Sequence, residues 1–132
     1  MKNRNWMIFL GLAVLILSAL ACEFSASTAK IKDAYLVADE TSGQKTTTYS
    51  QDQPFLLIVE LANAPDSTRV KAVWTILHED GSEEQFVEKE LETGDSPITF
   101  SASNNGLWPV SGYKVELYLN DELDRVVDFF VK

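Results

Sequence analysis

The chain has 132 residues, 45% of them hydrophobic, and a formal net charge of −9. That length suits a single domain with one ordinary core. The acidic balance argues against the Lys- and Arg-rich surface with which proteins meet nucleic-acid phosphates, so no nucleic-acid partner is expected.

Lys2 and Arg4 precede an uncharged run from Asn5 to Cys22, nearly all apolar from Trp6 to Leu20. The run closes on Ala19-Leu20-Ala21-Cys22, and the polar and acidic stretch beginning Glu23-Phe24-Ser25 follows at once. A positive start, an apolar middle and a small-residue exit are the three parts of a secretory signal peptide. This end resembles the lipobox of bacterial lipoproteins, in which a cysteine after small residues becomes the lipidated first residue of the mature protein. The resemblance implies an apolar signal helix over residues 1–21 and palmitate-type acylation of Cys22, with residues 22–30 as a tether. It also implies export and anchoring in a membrane, at the cell surface or in the periplasm. Two other readings stay open: ordinary cleavage after the A-x-A pattern, which releases a soluble protein, and retention of the apolar run as a membrane helix. Cys22 is the single cysteine. The domain at 31–132 therefore has no internal disulfide, thiolate metal site or cysteine nucleophile.

After the tether come runs of β-branched and aromatic residues broken at short intervals by turn residues, the pattern of an all-β sandwich or barrel. Ile31 to Val37 is the first predicted strand. Asp39 to Gln53 is polar and reads as loop, with Thr46 to Tyr49 the one stretch resembling a short edge strand. Pro54 opens Phe55-Leu56-Leu57-Ile58-Val59-Glu60-Leu61, whose Phe55, Leu57, Val59 and Leu61 share a buried face. Pro65 and Asp66 break it. Over Arg69 to His78 a period of two puts Val70, Ala72, Trp74 and Ile76 inward. Asp80-Gly81 is a tight-hairpin dipeptide. The return over Ser82 to Thr93 suits a helix by composition, but antiparallel pairing after that turn favours a strand. Ile98 to Ala102 is a further strand, followed by the loop Ser103-Asn104-Asn105-Gly106 and Leu107-Trp108-Pro109.

The last hairpin has the clearest alternation. Gly112-Tyr113-Lys114-Val115-Glu116-Leu117-Tyr118-Leu119, a turn at Asn120-Asp121, then a strand closing in Phe129-Phe130-Val131, is similar to the final hairpin of immunoglobulin-like domains. The resemblance implies an antiparallel β-sandwich of about seven strands, with Trp74 as the core tryptophan and Tyr113 near a tyrosine corner. It implies an interaction role and no reaction.

Catalytic and metal signatures are sparse. His78 is the single histidine, and without a second imidazole or a thiolate it makes no zinc set, so it is expected at an exposed strand end. No G-x-S-x-G elbow or Gly-rich phosphate loop is present, and Asp80-Gly81-Ser82-Glu83-Glu84 lacks the spacing of a calcium loop. No catalytic residue, metal or cofactor is therefore expected. Trp108 is the candidate ligand contact, either as an exposed anchor or as a plug for the open end of the sandwich. These readings converge on a lipid-anchored, extracytoplasmic, non-catalytic binding module for an envelope or protein partner. The alternatives are an accessory subunit of a surface complex, or a small exported enzyme or metal-binding domain.

Overall fold

The computed structural model describes residues 28–132. The leader, its expected helix, Cys22 and most of the tether lie outside the described residues. Within them the chain is all β, with eight strands: β1 (Lys30–Val37), β2 (Thr48–Tyr49), β3 (Phe55–Ala62), β4 (Thr68–Leu77), β5 (Glu83–Thr93), β6 (Ile98–Ala102), β7 (Ser111–Leu119) and β8 (Glu122–Val131). The strands form two sheets, ordered β1-β3-β6 and β2-β8-β7-β4-β5.

Two points differ from the sequence expectation. There are eight strands, and β2 runs parallel to β8 through Thr48–Phe130 and Tyr49–Val131, so the larger sheet is mixed. A two-residue strand has no room for alternation, which is why periodicity reads it as loop. The ambiguous stretch is a strand: β5 pairs antiparallel with β4 along its whole length.

Alternation sets which side of each strand faces inward, and the two inward faces pack on one another. Phe55, Leu57, Val59 and Leu61 of β3 are buried, as are Val70, Ala72, Trp74 and Ile76 of β4. Tyr113, Val115 and Leu117 of β7 and Phe129 and Val131 of β8 complete the opposing layer. Phe55 is the hub, its ring centroid lying within 6.0 Å of those of Tyr49, Trp74, Trp108, Tyr113 and Phe129. Each such ring contributes roughly 1.5–3 kcal/mol by leaving water. Val73 and Thr75 are buried too, although they face outward. β4 is an interior strand, and Glu88 and Glu116 flank Val73 while Gln85 and Lys114 flank Thr75.

One phenol ties the sheets together. Tyr49, in the larger sheet, shares its hydroxyl proton between the carbonyl oxygens of Val37 (2.7 Å) and Leu56 (3.2 Å) in the smaller one. Burial pushes the Tyr49 phenol above its ordinary range, with the contact to Leu56 opposing that shift.

Turn chemistry fixes the registers. Gly81 has φ 88°, which glycine reaches without steric cost. Beside it, Asp80 accepts from the Ser82 hydroxyl at 2.6 Å and the Ser82 N–H at 2.9 Å, which holds its carboxyl below the usual carboxylate range. The β7–β8 hairpin turns through Asn120 (φ 49°) and Asp121 (φ 72°), both in the left-handed region that a two-residue type I′ turn requires.

Candidate functional site

A groove of about 350 Å³ opens at the end of the sandwich, between β4–β5 and the loop from 103 to 110. Ile76 and His78 enter it from the end of β4, and Glu84, Phe86 and Val87 from β5. Ser103, Asn104, Trp108 and Pro109 supply the loop side, and Tyr113 of β7 the floor.

A β-bulge makes the apolar wall. Trp74 pairs with Val87 and Thr75 with Gln85, so Phe86 is the extra residue on β5. A bulge turns two successive side chains to one side, where strict alternation would send Phe86 outward. Phe86 and Val87 therefore both pack against the core. The Phe86 ring lies 5.4 Å from that of Trp108 and 6.1 Å from that of Tyr113, the latter edge-on.

The loop wall is pinned by its own polar groups. Trp108 donates its backbone N–H to the Gln51 carbonyl at 2.9 Å, and the Gln51 side-chain amide donates back to the Trp108 carbonyl at 2.9 Å. The indole Nε1–H goes to the Gln53 carbonyl at 2.9 Å, while the ring stacks on Phe55 at 4.2 Å and 19°. Trp108 is 7% exposed. Its position is that of the plug, with its one polar atom already satisfied. Leu107 and Val110, in the same loop, are 64% and 63% exposed. The floor is equally committed: the Tyr113 hydroxyl donates to the Pro109 carbonyl at 2.7 Å, and burial pushes its pKa up to about 12.

Solvent-accessible polar groups gather at the mouth. His78 Nε2 and Glu84 Oε2 are 3.0 Å apart and both side chains are solvent-accessible. His78 thus lies at the exposed strand end, yet it has a partner that sequence spacing did not suggest, because the hairpin brings residues 78 and 84 together. Ser103 and the Asn104 side-chain oxygen lie opposite, the Asn104 amide nitrogen being engaged by the Leu107 carbonyl at 3.2 Å. No group of three or more His, Cys, Asp or Glu side chains among the described residues is placed to hold a metal ion. The groove is thus an aromatic slot with a carboxylate–imidazole pair at one lip. Sequence reasoning reached Trp108 and His78 but missed the part played by Phe86 and Glu84, which the bulge and the hairpin bring to the groove.

No family model matches the chain, and no curated protein matches it. Among solved structures it is similar to the Pseudomonas fluorescens alkylpurine DNA glycosylase AlkC bound to DNA containing an abasic site analog, with a TM-score of 0.53 and 15% identity. The likeness covers 81% of this chain and 31% of that one, so the chain spans less than a third of that protein's length. At this identity the likeness is one of fold. It nonetheless corrects three expectations, those of a lipid-anchored extracytoplasmic module, of a non-catalytic protein and of no nucleic-acid partner: the solved neighbour is an enzyme, and it is bound to DNA. The expectations rested on net charge and on absent motifs. Net charge averages over the whole surface and does not govern what a single groove contacts, and a shared fold hosts unrelated functions that spacing along one chain does not reveal.

Proposed function

We propose that this chain is an immunoglobulin-like sandwich that binds a flat, cationic ring in the groove between β5 and the Trp108 loop. Three features support the fold assignment. The sheet orders β1-β3-β6 and β8-β7-β4-β5 follow the strand division of such domains with an added strand beside the third of the larger sheet. Trp74 lies in the core on the expected strand. The Tyr113 hydroxyl meets a backbone carbonyl four positions upstream, near the start of the penultimate strand.

The observation that carries the ligand reading is the pairing of the Phe86 ring with the Glu84 carboxylate at one groove. An aromatic face attracts a cation through its quadrupole, and stacking on such a face is worth about 1–3 kcal/mol for a nucleobase. The Glu84 carboxylate adds charge complementarity and accepts from ring N–H groups. The structural neighbour is named for alkylpurines, and a purine alkylated at a ring nitrogen such as N7 is flat, positively charged and rich in such donors. The carboxylates of β5 repel phosphates, so a nucleic acid would be met here through an extruded base.

Tryptophan fluorescence during titration with 7-methylguanosine, a cation, and with guanosine, its neutral counterpart, tests this. The methylated nucleoside is expected to bind roughly tenfold more tightly, a difference of about 1.4 kcal/mol. Glu84→Gln should abolish the difference and Phe86→Ala should weaken both. Equal affinities, or none, reject the reading.

A further inference from the structure

Gly106 is a glycine for which the backbone shows no need. Gly43 and Gly81 hold positive φ, and a Cβ at Gly94 or Gly112 would meet side chains within 4 Å. Gly106 does neither: its φ lies outside the left-handed region, and a Cβ there would stand in open space. It lies in the exposed part of the loop from 103 to 110, directly after Asn105.

What glycine does supply there is an uncovered peptide nitrogen. The side-chain carbonyl of an asparagine and the peptide nitrogen of the next residue can close a succinimide ring, and a side chain on that next residue stands in the way. Neither Asn105 nor Gly106 takes part in a hydrogen bond among the described residues, through main chain or side chain. Both are exposed and lie outside any strand, so the peptide plane between them can turn.

The other described asparagines are held. Asn63 precedes Ala64, whose N–H is taken by the Asp95 carboxylate at 2.7 Å. Asn104 commits its amide to the Leu107 carbonyl at 3.2 Å, and the residue after it has a side chain. Asn120 accepts the Arg69 N–H at 3.0 Å on its side-chain oxygen, inside the tight β7–β8 turn.

We propose that Asn105 is a site of self-modification, where the chain converts a neutral amide into isoaspartate or aspartate without an enzyme. The Gly106 nitrogen gives its proton to hydroxide and attacks Cγ of Asn105. The new N–C bond forms as the C–NH2 bond breaks, and the side-chain amide leaves as ammonia. Water then opens the imide: addition at the main-chain carbonyl gives isoaspartate, and addition at the side-chain carbonyl gives aspartate. The loop from 103 to 110 has no charged residue, so either product gives it its first, next to Asn104 at the wall of the groove. Trp108 is held by Gln51, Gln53 and Phe55, so the domain keeps its fold while that wall changes. The site does not depend on the ring reading of the groove, and either can fail without the other.

Ageing the full chain in mildly alkaline buffer and mapping its tryptic peptides tests this. The peptide of residues 90–114 holds Asn104 and Asn105 and no other asparagine. The amide-to-acid change in mass is expected at Asn105 by fragmentation, with isoaspartate among the products, detected by an isoaspartyl methyltransferase. Conversion should quicken as pH rises, because the nucleophile is a deprotonated amide. Gly106→Ala, for which there is space and no backbone strain, should slow it roughly tenfold or more. Asn105 should convert about as fast in the folded chain as in urea. Protection by folding of roughly tenfold or more overturns the proposal. So does conversion of Asn63, Asn104 or Asn120 ahead of Asn105, acid formed without isoaspartate, or an unaltered rate in Gly106→Ala.

Discussion

Trp108 and Gln53 are joined through the indole N–H and a backbone carbonyl at 2.9 Å, so the ring that closes the end of the sandwich is also hydrogen-bonded. Trp74, one layer deeper, has a buried Nε1 without a partner among the described residues. The two core tryptophans thus carry opposite polar accounts, and substitution should separate them. Trp108→Phe loses a hydrogen bond and strands the Gln53 carbonyl, and is expected to cost roughly 2–3 kcal/mol. Trp74→Phe loses area but releases an unpaired donor, and is expected to cost about 1 kcal/mol or less. Urea unfolding of both variants checks the order; a costlier Trp74→Phe contradicts it.

Tyr113 gives the alkaline limit. Its pKa is raised to about 12 by burial, so the folded state favours the neutral phenol. A raised pKa means that this contribution is complete below the unfolded value near 10 and is lost as pH climbs through 12. Stability should therefore fall between those two values. Tyr113→Phe should be less stable than the unaltered chain at pH 7, because the bond to Pro109 is gone, and should show a shallower alkaline decline. Thermal melts across that range provide the comparison.

The β7–β8 turn can be improved. Asp121 holds φ 72°, at a cost of about 1 kcal/mol for a residue with a side chain. Its ion pair with Arg69 is solvent-exposed on both sides, and such pairs are worth about 0–1 kcal/mol. Asp121→Gly creates the Asn-Gly sequence that type I′ turns prefer. A gain of about 0.5 kcal/mol is expected, read as a higher melting temperature.

Gly94 tests the opposite case. A Cβ there would stand 2.7 Å from the Asp66 carboxylate and 3.4 Å from the Ala64 carbonyl, where the β5–β6 turn packs on the β3–β4 turn. Asp95 completes that contact by accepting the Ala64 N–H at 2.7 Å. The first atom met is the end of the exposed Asp66 side chain, which can swing aside, so Gly94→Ala should cost about 1 kcal/mol or less in urea unfolding, and a larger loss would mean that Asp66 is held in place.

Most strands were legible because burial on one side writes a period of two. Ile98–Ala102 is recovered to the residue, and β3, β4, β7 and β8 to within two positions at either end. What escaped was whatever does not obey that period. β2 is too short to have one, and the bulge at Phe86 breaks it, so Phe86 lines the groove beside Val87 instead of facing the other way. The site suffered more than the fold for the same reason. His78 and Glu84 meet through a hairpin, Phe86 and Trp108 through two loops of unrelated sequence, and a linear reading sees neither encounter.

The parallel pairing of β2 with β8 has a consequence for synthesis. Thr48 and Tyr49 find their partners in Phe130 and Val131, and the Lys132 N–H in turn meets the Tyr49 carbonyl at 3.0 Å. As a chain emerges from the ribosome, contacts between neighbouring segments can form at once, but this one waits for residues made some eighty positions later. Until then Tyr49 has no sheet to anchor it, and its clasp on Val37 and Leu56 stays unset. Closure of the early strands is thereby timed by the last ones.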